Sequence, residues 1–116
     1  MQRDHRVYLN DILTAISKIE RYVGDLSFHD FTQDEMRIDA VVRNLEVIGE
    51  AAKHVPEEVR RKYPFIEWKK ISGLRDILIH EYFGVDRDIL WDIVKNKIPV
   101  LKRDTEKILE LEKEKG

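Results

Sequence analysis

The sequence predicts an all-α fold, an antiparallel bundle of four principal helices with one short connecting helix. Three observations carry that prediction. Apolar residues recur at spacings of three and four along almost the whole chain, which is the pattern of helices with one buried face. No stretch alternates apolar and polar residues as a half-buried strand does, and no Asn-Gly pair marks a hairpin turn. Gly24, Pro56 and Gly84 punctuate the periodic stretches at places where such residues end helices.

Tyr8, Ile12, Ile16 (or Ala15), Ile19 and Val23 share one stripe of a first helix that ends near Gly24, and Asp25 to Asp30 reads as a loop. A second helix is expected to start at Thr32, because Thr32 and Glu35 have capping-box spacing and Phe31 stands where a hydrophobic staple would. Ile38, Val41, Val42, Leu45, Ile48, Gly49, Ala52 and Val55 then cluster on one face. Glycine weakens a helix by about 1 kcal/mol relative to alanine, so the small residues Gly49, Ala51 and Ala52 point to close approach of another helix. Pro56 ends this element, Glu57 to Lys62 makes the short connecting helix, and Pro64 disfavours helical geometry at Tyr63. A third long helix is expected from about Glu67 to Phe83, stopped by Gly84. The last begins after Val85 with Asp86 as its cap and carries Ile89, Leu90, Ile93, Val94, Ile98, Leu101, Ile108 and Leu111. Pro99 lies inside that pattern and is expected to kink or split it. The tail from Glu110 to Gly116 is nearly all charged and is expected to fray.

A chain of 116 residues suits a single domain, taken as 1–116, with one core. Hydrophobic residues make up 42% and charged ones 38%, so the outer faces of the bundle are densely charged. Without cysteine there is no disulfide framework and no thiolate metal site. No apolar run reaches the roughly 18 residues that span a bilayer, and the charged start Met1 to Arg6 is not followed by a signal-peptide core. A cytoplasmic location without membrane association is therefore expected. The formal net charge of −2 does not advertise nucleic-acid binding. Local charge differs: Lys53, Arg60, Arg61, Lys62, Lys69, Lys70 and Arg75 outweigh Glu57, Glu58 and Glu67, which predicts a basic patch.

That patch leads into the most informative segment, Arg75-Asp76-Ile77-Leu78-Ile79-His80-Glu81-Tyr82. Arg75 is permanently cationic and suits phosphate, whereas His80 can take or give a proton near neutral pH. On a helical wheel Ile71, Leu74, Leu78 and Tyr82 form one stripe with Arg75 at its edge, while Asp76 and His80 project together from another face. Asp76 is thus placed to orient His80. Arg75 and His80 stand about 140° apart on an ideal wheel, so either arginine's length bridges the gap or a second protomer completes the site. Spacing alone equally admits Arg75 pairing with Asp76 or Glu81 on a solvated face, with Tyr82 in the core. His5, His29 and His54 read as surface or capping residues, and Trp68 and Trp91 as core or interface. Glu46, Glu50 and His54 form a stripe at four-residue spacing that supplies few ligands for a divalent metal; a solvated or dimer-facing polar face, with Arg43 pairing to Glu46 or Glu50, is the preferred reading. No metal and no cofactor is expected.

The run Gly73-Leu74-Arg75-Asp76-Ile77-Leu78-Ile79-His80-Glu81-Tyr82-Phe83-Gly84-Val85-Asp86 resembles the signature segment of HEPN-domain proteins of the HepT-like toxin family, whose hallmark is Arg-x4-His-x-Tyr. Arg43-Asn44-Leu45-Glu46-Val47-Ile48-Gly49-Glu50-Ala51 is also similar to that family, and the resemblance spans essentially the whole chain. It implies a HEPN-like bundle that forms a homodimer, with the motif helices facing one another across a two-fold cleft. It implies a metal-independent endoribonuclease, the toxin of a type VII-like toxin–antitoxin pair with RNA as substrate. It further implies a minimal nucleotidyltransferase antitoxin, MntA-like, that uses ATP to place AMP on the motif tyrosine. Position by position, Arg75 and His80 match the catalytic pair, Asp76 the polar position and Tyr82 the modified tyrosine. Lys69 and Lys70, just upstream, are expected to contact RNA. The rival expectation is a non-catalytic helical binding module that partners, and is modified by, the nucleotidyltransferase.

Overall fold

Carboxylates start the longer helices, because an acidic side chain at the N-cap accepts the free amides of a first turn. The computed structural model describes residues 4–74 and 86–114. In it α1 (His5–Val23) begins at Asp4, whose side chain accepts from the Arg6 amide, and closes at Gly24, which takes a positive φ (51°) that glycine adopts without strain. The elements α2 (Phe28–Thr32), α3 (Glu35–His54), α4 (Glu57–Lys62) and α5 (Trp68–Ser72) follow. After the segment 75–85, Asp86 accepts from the amides of Asp88 and Ile89 at 3.0 and 3.1 Å and starts α6 (Arg87–Asp92). α6 passes through a π-helical turn (Ile93–Lys97) into α7 (Ile98–Glu114). The all-helical class is as the sequence predicts among these residues. Arg75, Asp76, His80 and Tyr82 lie outside the described residues.

Several expected boundaries move, each for a local reason. The cap of α3 is Asp34, not Thr32: its carboxylate accepts from the Arg37 amide at 3.1 Å, while the Thr32 hydroxyl donates to the His29 carbonyl at 2.9 Å. Part of the expected 25–30 loop is the helical turn α2, capped by Ser27 and held by burial of Phe31, whose ring centroid lies 5.4 Å from that of Trp91. The helix expected from Glu67 to Phe83 is interrupted, since α5 closes at Gly73, whose amide bonds to the Lys69 carbonyl at 3.1 Å. Pro99 widens its helix instead of ending it. Proline lacks an amide hydrogen and crowds the carbonyl four residues back, here Lys95. The preceding turn expands so that the Ile98 amide reaches the Ile93 carbonyl five residues earlier.

The core lies chiefly between α1 and α3. Leu9, Ile12, Ala15, Ile16, Ile19 and Val23 of α1 meet Ile38, Val41, Val42, Leu45, Ile48 and Ala52 of α3 in one buried cluster. α7 packs on α1 through Ile98, Leu101, Thr105 and Ile108, a run of spacings of three and four that brings Glu112 inward next. Leu111, expected on the apolar face, is correspondingly exposed. Glu112 is buried because it has partners: the Tyr63 hydroxyl donates to it at 2.5 Å, His5 Nε2 bonds its other oxygen, and Lys62 Nζ stands 3.8 Å away. Of the tail expected to fray, the residues as far as Glu114 are the last part of α7.

This clasp joins the start of α1, the end of α4 and the end of α7. The hydrogen bond from Tyr63 does most to hold the Glu112 carboxyl below its ordinary value, against the opposing effect of burial, with His5 and Lys62 adding to the lowering. Burial first, then the Glu112 carboxylate, pushes the Tyr63 hydroxyl up to about 12. A carboxyl depressed on folding contributes stability that is present above its unfolded value, near 4.5, and is lost as pH falls through the lower folded value. Urea unfolding should show stability declining through that acid range. Glu112→Ala should make the decline shallower and cost about 1–3 kcal/mol at pH 7, because the buried Tyr63 hydroxyl loses its acceptor. A variant with the parent's stability and the parent's acid limb would remove the clasp from the account.

Candidate functional site

The approach to the motif segment is set by a helix that rests on bare backbone. At Gly49, on the buried face of α3, a Cβ would stand 3.2 Å from the Ile71 carbonyl oxygen and 3.3 Å from that of Ser72. The end of α5 thus lies closer to α3 than most side chains would permit, which is the use expected of the small residues in this helix. The other end of α5 is pinned by Trp68, buried, with its indole N–H donating to the Tyr63 carbonyl at 3.0 Å. Leu74, the last described residue before the motif, is also buried. On the far side Asp86 caps α6, and the Arg87 guanidinium donates to the Thr32 carbonyl. The described residues on either side of 75–85 are thus fixed by the burial of Leu74 after α5 and by the bond of Arg87 to the end of α2.

Two grooves flank that contact, and Lys53 and Ser72 line both. The first, about 480 Å3, runs between α1 and α3 and is walled by Tyr8, Asp11, Arg43, Glu46, Glu50 and His54. The stripe Glu46, Glu50 and His54 is thus one wall of a polar cleft. Arg43 approaches Glu46 to 3.9 Å, and the His54 ring meets Tyr8 edge-on with centroids 5.4 Å apart. Among the described residues no group of three or more His, Asp or Glu is arranged to hold a metal ion. The second groove, about 590 Å3, is lined by Lys53, Arg60, Arg61 and Lys69, with Glu57 as its one acidic residue and Pro64, Ile66 and Trp68 as its apolar part. Of the two lysines expected to meet RNA, only Lys69 lines this groove. Lys70 binds Glu67 at 2.7 Å, and that hydrogen bond raises the lysine and lowers the carboxyl.

The sequence shows an excess of cations between Lys53 and Arg75 but does not group them. The grouping depends on the turn after α4, which folds that helix and α5 around one depression. No periodicity signals it, because the four cations come from three separate helices.

Residues 12–108 match the family model described as "Ribonuclease HepT-like". The chain belongs to the HepT-like ribonuclease family. It is 46% identical to "Probable ribonuclease HepT" of Thermococcus cleftensis over 108 residues, which is 93% of this chain and 98% of that protein. It is 47% identical over 117 residues to a Methanocaldococcus jannaschii protein named "Gamma-glutamylcyclotransferase and putative RNase", of which it spans 53%. In fold it is similar to the tri-AMPylated HEPN toxin of Shewanella oneidensis solved in complex with its MNT antitoxin: TM-score 0.70, 21% identity, 95% of this chain and 99% of that one. The family resemblance is thereby established, and the all-helical fold matches that of a HEPN toxin.

For this HepT-like chain the Gly49 contact can be tested by stability. Valine has a better helix propensity than glycine, so in an unpacked helix Gly49→Val would be neutral or stabilising. Here it should lose about 2 kcal/mol in chemical denaturation, as overpacked sites do, with both α5 carbonyls forced away. Gly49→Ala should lose less. A Gly49→Val protein as stable as its parent would mean that α5 does not rest on the α3 backbone.

Proposed function

We propose that this chain is a metal-independent endoribonuclease, the toxin of a toxin–antitoxin pair, acting as a homodimer. The observation that carries the proposal is membership of the HepT-like ribonuclease family over residues 12–108, a span that contains the intact Arg75-x4-His80-x-Tyr82 motif. His80 withdraws the proton of a ribose 2′-hydroxyl as general base. The freed oxygen attacks the adjacent phosphorus, and Arg75 stabilises the charge that builds on the phosphoryl oxygens. The bond from phosphorus to the 5′-oxygen breaks, leaving a 2′,3′-cyclic phosphate, and the departing oxygen takes a proton. One imidazole serves poorly as base and acid in the same step, so the acid is His80 of a second copy across a two-fold cleft. Asp76, four residues before His80 in sequence, orients it.

Control comes from a minimal nucleotidyltransferase with ATP as AMP donor. The Tyr82 oxygen bonds to the α-phosphorus, the α–β phosphoanhydride breaks, pyrophosphate leaves and the phenolic proton is lost. AMP on Tyr82 adds bulk and negative charge two residues from His80, where RNA must bind. The fold relationship to a tri-AMPylated HEPN toxin held by an MNT antitoxin supports this reading.

Purified protein should cut single-stranded RNA in EDTA and leave cyclic phosphate ends. His80→Ala and Arg75→Ala should each lower the rate by about 100-fold or more with unchanged helical circular dichroism. Cleavage that requires added metal, or a fully active His80→Ala protein, would sink the mechanism.

A further inference from the structure

We infer that the basic groove between α4, the turn after it and α5 seats the sugar–phosphate backbone of the RNA, with Arg60 and Lys69 as its phosphate contacts; this rests on the ribonuclease reading and adds a substrate-binding surface outside the motif. Charge is the first reason. Lys53, Arg60, Arg61 and Lys69 face Glu57 alone, and Glu57 is taken by Arg61 at 2.9 Å. That pair is exposed and easily exchanged for a phosphate.

Arg60 supplies the second. Its Nε is buried and has no acceptor among the described residues. That atom is closed off from the groove, so the phosphate contact falls to the terminal guanidinium nitrogens, which form no hydrogen bond or ion pair among the described residues and whose planar fork fits phosphate oxygens. Lys69 and Lys53 are exposed beside it, and neither forms an ion pair among the described residues.

The third reason is the groove's composition. Pro64, Ile66 and Trp68 give its lining an apolar strip alongside the cations. Proteins that hold single-stranded nucleic acid combine a cationic track for phosphates with apolar or aromatic surface for sugars and bases. An acidic peptide would use the cations and leave the strip idle. The groove also meets the polar cleft at Lys53 and Ser72, and Ser72 precedes Arg75 by three residues in sequence. A strand lying in it is led to the start of the motif segment.

The test uses the full chain with His80→Ala to prevent cutting, a labelled single-stranded RNA oligonucleotide and fluorescence anisotropy across a salt series, with the parent assayed for cleavage in parallel. Arg60→Ala and Lys69→Ala should each weaken binding about tenfold, the effect of losing one charge-assisted hydrogen bond. Each should also reduce the slope of log affinity against log salt by about 0.7. Lys18→Ala, on the exposed side of α1 and outside both grooves, should change neither. Lys69 is exposed, so its variant keeps the test valid even if Arg60→Ala unfolds. Unchanged affinity and slope in Lys69→Ala overturn the groove, and if the parent cuts RNA the ribonuclease reading survives that result. Salt-sensitive binding lost in the groove variants of a protein that cuts no RNA supports the groove and defeats the ribonuclease reading. Variants that bind RNA normally but lose a nucleotidyltransferase partner overturn the proposal in favour of a protein dock.

Discussion

At Gly49 the Ile71 and Ser72 carbonyl oxygens lie 3.2 and 3.3 Å from where a Cβ would be, and the surface on either side of α5 follows from that approach. It seats α5 directly on α3, so the two grooves open on either side of one contact and share Lys53 and Ser72. It also delivers a buried Leu74 to the start of the motif segment. A residue with a side chain at position 49 would push α5 outward, and both grooves would change shape together. A glycine that weakens its own helix is tolerated because the tertiary contact it permits is worth more than the propensity it gives up.

A second constraint is electrostatic and joins the two ends of the described chain. Burying a carboxylate is unfavourable unless its oxygens find hydrogen-bond donors. Glu112 finds the Tyr63 hydroxyl and His5, with Lys62 close by, and thereby ties α7 to α1 and to the end of α4. The same turn after α4 receives the Trp68 indole N–H on the Tyr63 carbonyl. Tyr63 therefore links the clasp to the helix that floors the basic groove: its side chain faces the terminal helices and its backbone anchors α5. Arg87 plays a comparable part for the other end of the motif segment through the Thr32 carbonyl.

Much of the fold was legible because helical periodicity and local caps are short-range signals. The stripes on α1 and α3, the α4 boundaries at Glu57 and Lys62, the Asp86 cap and the purpose of Gly49 could all be read from spacing and residue type. Errors arose where a local pattern had a competitor. Thr32 and Glu35 have capping-box spacing, but Asp34 offers a charged acceptor two residues later, and Phe31 is drawn into the core with Trp91. Composition likewise does not disclose that one glutamate of the charged tail has a buried tyrosine and a histidine as partners. Pro99 reads as a breaker, yet a helix already packed through Ile93, Val94, Ile98 and Leu101 widens by one residue instead of giving up that packing.

For the site, the sequence by itself determined the family. Arg75, Asp76, His80 and Tyr82 within eight residues, together with the Arg43–Ala51 run, sufficed to place the chain among HepT-like ribonucleases, because the identity and order of side chains are written directly in the chain. Only the tertiary structure decided which of the many cations act together. Lys53, Arg60, Arg61 and Lys69 belong to three helices and share a groove, while Lys70, adjacent to Lys69 in sequence, turns aside to Glu67. Charge is long-ranged and indifferent to sequence order, so its grouping into a surface depends on how the helices pack, and here that packing turns on the absence of one side chain at Gly49.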